Sequence, residues 1–328
     1  MSHPVNHAAS FPKITREHLG HDRVVWTIDS GVSGPVLGLT ANIHGDECTG
    51  LVALNQVLEQ GSRLKKGKIR LFPSLNPEGL MESKRESPRL GKDLNRLFPN
   101  CLDPNAAVHP ELRSVWRALQ DPPLDMLIDI HSDSGLAMPY VLLDRQLSRN
   151  IRVLNQMQDM AEVLGIYTMW EYVSTNYRRY QLQRTLSGSV LNSLQVPCVT
   201  MEIGRRRHVE WKDVQIALSA IGRLLVEHSM CTLEDIDAMG WNLSSRSNIG
   251  GVWRRENGPI TREEGLIVPT VDLGTIVQEG ESIAKIVNAQ GVTRDTVCAK
   301  ETSVVIAFPD KAWTERWLSI CTIGVLER

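Results

Sequence analysis

Between about residues 22 and 230, short apolar runs of strand character alternate with segments whose apolar residues recur at helical spacing. The strand-like runs are 24–28, 37–43, 69–73, 127–130 and 198–203; the helical patterns are 50–59, 111–119, 149–164 and 211–229. This alternation predicts an α/β fold, a sheet with helices on both faces, whose ligand sites collect at the strand ends. After Gly240-Trp241 the pattern changes to Gly, Val, Ile and Thr with frequent turn residues and no long helix. That composition predicts a small all-β domain. A chain of 328 residues exceeds the size at which one hydrophobic core usually stops growing, so two domains are expected, 1–242 and 243–328.

Four segments carry chemistry. In Ala41-Asn42-Ile43-His44-Gly45-Asp46-Glu47 an apolar run (36–43) meets a helical pattern (51–58), so His44 and Glu47 sit at a strand-to-helix turn, with Gly45 permitting tight backbone there. His131 ends a second buried run, 126–130, in Asp129-Ile130-His131. Two crossings of the chain thus bring two histidines and a glutamate to one sheet edge, and hydrolytic zinc typically takes three such ligands and keeps its fourth position open. Alone, a His-x-x-Glu pair is a weak signal, and a lone histidine after an apolar strand is more often a satisfied core or surface residue.

Asn95 and Arg96, in Lys92-Asp93-Leu94-Asn95-Arg96-Leu97-Phe98-Pro99, offer an amide and a planar fork of charged donors suited to a carboxylate. The alternative is a polar loop with local turn bonds from Asp93 and Asn95. In Val196-Pro197-Cys198-Val199-Thr200-Met201-Glu202-Ile203-Gly204 an acid stands inside an apolar strand, which is costly unless it is paired or used. Metal-assisted hydrolysis uses such a group as general base.

Together and in this order, His44-Gly45-Asp46-Glu47, Asp93-Leu94-Asn95-Arg96, Asp129-Ile130-His131 and Met201-Glu202-Ile203-Gly204 resemble the succinylglutamate desuccinylase/aspartoacylase family of zinc carboxypeptidase-like hydrolases. The resemblance covers nearly the whole chain. It implies zinc on His44, Glu47 and His131, a substrate carboxylate on Asn95 and Arg96, and Glu202 as catalytic base and acid. The family also places a polarising arginine shortly before Asp93. Arg85 and Arg89 both stand there, and Arg85 is favoured because Arg85-Glu86-Ser87-Pro88 is similar to this branch. Asp129 is a candidate acceptor for His131, alongside a plain packing role at the strand end. Cys48 reads as a small packing residue.

The implied architecture is a mixed sheet with helices on both faces (zinc carboxypeptidase-like), followed by a small all-β biotinyl/lipoyl-like C-terminal domain. Residues 265–286 resemble the half-motif of such domains. The stretch where carriers bear their modified lysine, 287–295 here, contains none, so a lid or packing role is expected. The implied activity is a zinc-dependent amidohydrolase that removes the acyl group from an N-acylated amino acid or related small compound. The alternative is a carboxypeptidase-type zinc peptidase with a wider groove; a binding protein without activity is disfavoured by the intact ligand set and Glu202. The added β domain favours a closed pocket. Acetyl, succinyl and aspartyl substrates stay open, N-acetyl-diaminobutyrate among them.

One departure bears on substrate choice. After Gly204 comes Arg205-Arg206-Arg207-His208, where relatives often have glycine or proline; it either recruits anionic substrate or is a solvated loop. Tyr177-Arg178-Arg179-Tyr180 and Arg184 lie where the family draws further substrate contacts, without a motif to select among them.

The formal net charge of -2 argues against electrostatic attraction to nucleic acid or membrane. The N-terminal Met1-Ser2-His3-Pro4-Val5-Asn6-His7 has neither a basic start nor an apolar core, so no signal peptide is expected, and no apolar stretch approaches the ~20 residues of a spanning helix. The six cysteines are scattered without close pairs, which suits reduced thiols in a cytoplasm. The expected partner is a small-molecule N-acyl substrate, with no nucleic acid and no membrane; a homo-oligomer is left open.

Overall fold

The computed structural model describes residues 12–103, 105, 107–243 and 251–327. The N-terminal reading on residues 1–7 lies outside them, as does 244–250, just past the expected domain boundary.

Up to residue 243 the strands are β1 (Lys13–Gly20), β2 (Arg23–Asp29), β3 (Val36–Ala41), β4 (Lys68–Phe72), β5 (Met126–His131), β6 (Leu136–Ala137), β7 (Tyr140–Leu143), β8 (Thr168–Trp170) and β9 (Cys198–Glu202). The helices are α1 (Thr49–Glu59), α2 (Pro77–Glu82), α3 (Arg113–Ala118), α4 (Ile151–Leu164), α5 (Ser174–Arg179), α6 (Leu186–Ser189), α7 (Trp211–Glu227) and α8 (Leu233–Ala238). Residues 251–327 contribute strands and no helix among the described residues: β10 (Trp253–Asn257), β11 (Gly265–Pro269), β12 (Ile276–Val277), β13 (Ser282–Val287), β14 (Thr293–Cys298), β15 (Ser303–Phe308), β16 (Trp313–Thr314) and β17 (Thr322–Leu326).

The main sheet is mixed, in the order β1-β2-β4-β3-β5-β9-β7-β8-β10-β17-β15-β12, with β6 attached to β15. Its centre, β4-β3-β5-β9, is parallel. Every residue of β5 is buried, which is why that strand reads as an unbroken apolar run with one internal acid. Helix α1 lies on one face; a Cβ at its Gly50 would come within 2.9 Å of Ala41 and Ile130, so the missing side chain is what lets the helix lie flat. Helix α6 covers the opposite face, where the Thr200 hydroxyl of β9 donates to Ser187 Oγ at 3.0 Å. Helices therefore flank both faces.

The C-terminal strands do not stand apart. Strand β10 pairs in parallel with β8, and through it β17, β15 and β12 extend the main sheet. Only β14-β13-β11-β16 form a second sheet. The β13–β14 turn, residues 288–292, lies within the lysine-free stretch 287–295 noted above.

Where element ends differ from the sequence reading, local chemistry explains it. The run expected over 37–43 stops at Ala41 because Asn42 takes a left-handed φ of 53°, a conformation asparagine tolerates. The helix expected over 111–119 begins as a tight turn at Pro110–Leu112 before α3. Strands β1, β7 and β8 went unexpected, β1 because its residues are almost all exposed and show no apolar face. Among the described residues no helix is long and apolar enough to cross a membrane.

Candidate active site

The first loop of the site owes its shape to a residue the sequence reading passed over. The Asn42 side-chain amide donates to the carbonyls of His44 at 3.0 Å, Gly45 at 3.1 Å and Glu47 at 3.0 Å, folding the chain beyond β3 into a compact turn. Gly45 is required because a Cβ there would fall 2.0 Å from the Gly79 carbonyl carbon of α2. The turn sets His44 Nδ1 2.9 Å from Glu47 Oε1. His131, at the end of β5, places its Nδ1 2.8 Å from Glu47 Oε2, which also accepts the Ser132 amide at 3.2 Å. One ligand atom from each of His44, Glu47 and His131 lies within 4.8 Å of the others, and all three residues are buried.

The outward nitrogens are equally committed. His44 Nε2 meets Asp93 Oδ1 at 3.2 Å, and His131 Nε2 meets Asp129 Oδ2 at 3.0 Å. Asp129 in turn accepts the Thr40 hydroxyl at 2.7 Å. Carboxylates behind both imidazoles fix ring orientation and raise basicity, as the outer partners of metal ligands do. Burial works to raise the Glu47 carboxyl, but the flanking imidazoles outweigh it and hold it well below the usual range. For His131 burial works downward and is outweighed by Asp129 and Glu47, which lift it well above the usual value. Two imidazole nitrogens and a carboxylate oxygen, buried and convergent with their outer nitrogens anchored, form a donor set that fits zinc.

Glu202 ends β9 in register with His131 on β5. It stands outside the convergent trio but lines the same cavity of about 140 Å³. Its Oε2 is buried and accepts no hydrogen bond among the described residues. Burial, opposed by His131 and reinforced by Asp133 and Glu47, pushes its carboxyl up to about 8.

Asn95 and Arg96 reach that cavity from a short turn, Leu94–Arg96, capped by Asp93. Asn95 Oδ1 accepts the Leu186 amide of α6 at 2.7 Å. The amide oxygen is thereby committed and the NH₂ is left as the available donor. Arg96 donates to the Asn95 carbonyl at 2.9 Å and makes no ion pair among the described residues. Arg85 lines the cavity, 3.4 Å from Glu47 Oε1 and 3.2 Å from Asp93 Oδ2. Arg89 is turned away and pairs with Glu78 and Glu111.

The arginine run separates. Arg206 lines the cavity with Nε 3.7 Å from Glu47 Oε1, whereas Arg205 pairs with Glu210 and Arg207 faces Asp46. Of the 177–184 stretch, Arg178, Arg179 and Arg184 do not line the cavity, and Tyr177 donates to Asp144 at 2.7 Å. Cys48 precedes α1 with its Sγ 4.0 Å from the Gly45 carbonyl, a packing position.

The sequence reading missed Asp133, Asp144, Glu171 and Arg255, all in the cavity wall. Asp144 and Glu171 each follow a short apolar strand, the same signal that Glu202 carried. Arg255, on β10, has no local signal; it reaches Glu171 at 3.4 Å and lies over the Tyr172 ring at 5.5 Å. Burial and the neighbouring Glu171 push the Asp144 carboxyl up to about 7. A carboxyl raised in the folded state stabilises the fold below its unfolded value, about 3.9, and loses that contribution as pH rises through about 7. Asp144→Asn, which cannot ionise, is therefore expected to lose less Tm between pH 5 and pH 8 than the wild type. Equal losses in paired thermal melts would clear Asp144 of this role.

Residues 33–227 match the family model described as the succinylglutamate desuccinylase/aspartoacylase catalytic domain. A stretch of 103 residues is 33% identical to the N-alpha-acetyl-L-2,4-diaminobutyric acid deacetylase of Halomonas elongata; it spans 30% of this chain and 29% of that relative. In fold the chain is similar to a succinylglutamate desuccinylase/aspartoacylase from Rhodobacter sphaeroides, with a TM-score of 0.73 at 16% identity over 100% of this chain and 99% of the other. It is also similar to a metallo-carboxypeptidase from Burkholderia cenocepacia, with a TM-score of 0.51 at 15% identity over 67% and 65% of the two chains.

Proposed function

The chain belongs to the succinylglutamate desuccinylase/aspartoacylase family, and on that premise we propose that it is a zinc-dependent amidohydrolase of the cytoplasm. Its substrate would be an N-acylated amino acid or a related small compound, from which it removes the acyl group. The observation that carries this reading is the convergence of His44, Glu47 and His131 beside Glu202 in a cavity that Asn95, Arg96 and Arg85 also line. The first substrate to test is N-acetyl-diaminobutyrate, since the deacetylase of Halomonas elongata acts on that compound by name.

Zinc held by His44, Glu47 and His131 would supply Lewis acidity to water and to the scissile carbonyl. Glu202 takes a proton from the attacking water and returns it to the leaving amine, a role its raised and unpartnered carboxyl suits. Arg85 faces the developing negative charge on the carbonyl oxygen. Arg96 grips the substrate carboxylate bidentately while the Asn95 NH₂, oriented by α6, donates alongside it.

A small cavity walled by Arg255 supports a compact acyl amino acid over a peptide. The same proposal divides the chain into a zinc hydrolase catalytic domain (1–242) and a biotinyl/lipoyl-like β domain (243–328). The separate core around Ile283, Ile286 and Val305 supports that division, although β10, β17, β15 and β12 continue the main sheet. All six thiols are unpaired, which supports a reducing compartment.

The test is turnover of a panel of N-acyl amino acids and short peptides by zinc-loaded protein. Release of acyl group from at least one N-acyl amino acid is expected, and exclusive C-terminal trimming of peptides would replace the reading by a peptidase. On the accepted substrate, Arg96→Lys should raise KM about tenfold or more with zinc content unchanged, because lysine lacks the planar fork. Unaltered kinetics would show that Arg96 serves another purpose.

A further inference from the structure

Arg206 is held at the cavity by a residue from the other end of the chain. Asp310, in the loop after β15, accepts from Arg206 Nη1 at 2.9 Å through Oδ2, while its Oδ1 accepts the Gly135 amide. Arg206 Nε donates to the Ser132 carbonyl at 3.3 Å. The contacts close a ring: Asp310 to Arg206, Arg206 to Ser132, along the chain to Gly135, and back to Asp310. Ser132 directly follows His131. Just beyond Gly135, β6 pairs with β15 through Ala137–Ala307 and Leu136–Phe308, so the loop leaving His131 is stitched to the C-terminal strands at two points.

The carboxylate at the centre of the trio depends on this arrangement. Glu47 Oε2 is occupied by His131 and the Ser132 amide. Oε1 faces His44 and is approached by two guanidinium groups, Arg85 at 3.4 Å and Arg206 at 3.7 Å. The neighbouring arginines Arg205 and Arg207 have partners outside the cavity, so the chain does not by itself direct position 206 inward. A half-buried ion pair such as Arg206–Asp310 contributes little to stability. What it does supply is a direction: with one edge bound to Asp310 and Nε bound to Ser132, the guanidinium is turned toward Glu47 and stands 3.7 Å from its Oε1.

We propose that Asp310 is a positioning residue for the reaction, which fixes Arg206 against Glu47, so that the C-terminal β segment completes the active site instead of merely covering it. The proposal rests on the amidohydrolase reading for its kinetic consequence, while the geometry stands on its own.

The test is a double-mutant cycle with Asp310→Asn, Arg206→Gln and the double variant, read in kcat, KM and zinc dissociation constant, with thermal melts to establish that each variant folds. Asp310→Asn is expected to lower kcat about tenfold, at the lower end of what outer residues around a metal site cost, with KM changed less. The double variant should be no slower than Arg206→Gln alone, because Asp310 acts through Arg206. Asp310→Glu should restore most of the rate. Additive losses, or a folded Asp310→Asn with wild-type kcat, overturn the proposal. If the wild type hydrolyses no N-acyl substrate, the functional reading fails, and the cycle in zinc affinity then decides the coupling: non-additivity supports it and additivity removes it.

Discussion

Replacing Glu202 by glutamine is expected to lower kcat by about 10²–10⁴-fold, the usual cost of losing a positioned general base. Glutamine keeps the shape of the side chain at the end of β9 but cannot accept the proton. Glu202 stands outside the trio of convergent donors, so zinc content should stay at the wild-type level and KM should move little by comparison. The pH dependence follows from the same carboxyl. It must be ionised to act, so the rate rises with pH through its titration. Burial sets that titration at about 8 in the protein alone, and a cation on the adjacent donors would lower it. The acid limb of the wild-type profile is therefore expected below about 8 and should be absent from the residual activity of the variant. Near wild-type turnover would assign the base to another group. Loss of zinc would instead make Glu202 a ligand and reopen the role of Glu47.

The second large effect is expected at the histidines. Wild-type protein should carry about one zinc per chain, since a hydrolytic site of this kind uses three protein ligands. His44→Ala and His131→Ala each remove one nitrogen of the trio and also take the imidazole from an acid. In the first case the acid is Asp93, which keeps its pair with Arg85; in the second it is Asp129, which keeps the Thr40 hydroxyl but has no cation in its place. A buried carboxylate without a cationic partner is costly, so Asp129, fully buried, makes the His131 variant the less stable of the two. Elemental analysis of the folded variants decides the matter. Both should be close to metal-free and inactive, and full retention of zinc in both would eliminate the site.

Much of this centre could be read from the chain because its parts are local. His44 and Glu47 are three residues apart on one turn, and His131 and Glu202 each end a strand whose apolar run is visible in the sequence. Residue type carries the rest: an acid in an apolar strand is expensive enough to demand a use. Asp144 and Glu171 offered the same signal and were overlooked because β7 and β8, at four and three residues, are too short for their periodicity to stand out. Asn42 was overlooked because its work is done by backbone geometry, a left-handed φ and three carbonyl contacts that no spacing rule expresses.

The sequence by itself determined the strand and helix alternation, the residues that converge on Glu47, and the family. Periodicity and side-chain chemistry act over a few residues, so both are written into short stretches of chain. Only the tertiary structure decided that Arg85 and not Arg89 enters the cavity, that one arginine of three in 205–207 turns inward, and that β10 joins the main sheet beside β8. The same holds for Arg255 on the cavity wall and Asp310 behind Arg206. Each of these depends on a contact between residues brought close by sheet order and loop path. The Arg206–Asp310 pair, for one, spans 104 positions of sequence. A guanidinium has the same chemistry wherever the chain carries it, and only the acid that folding places beside it sets where it points.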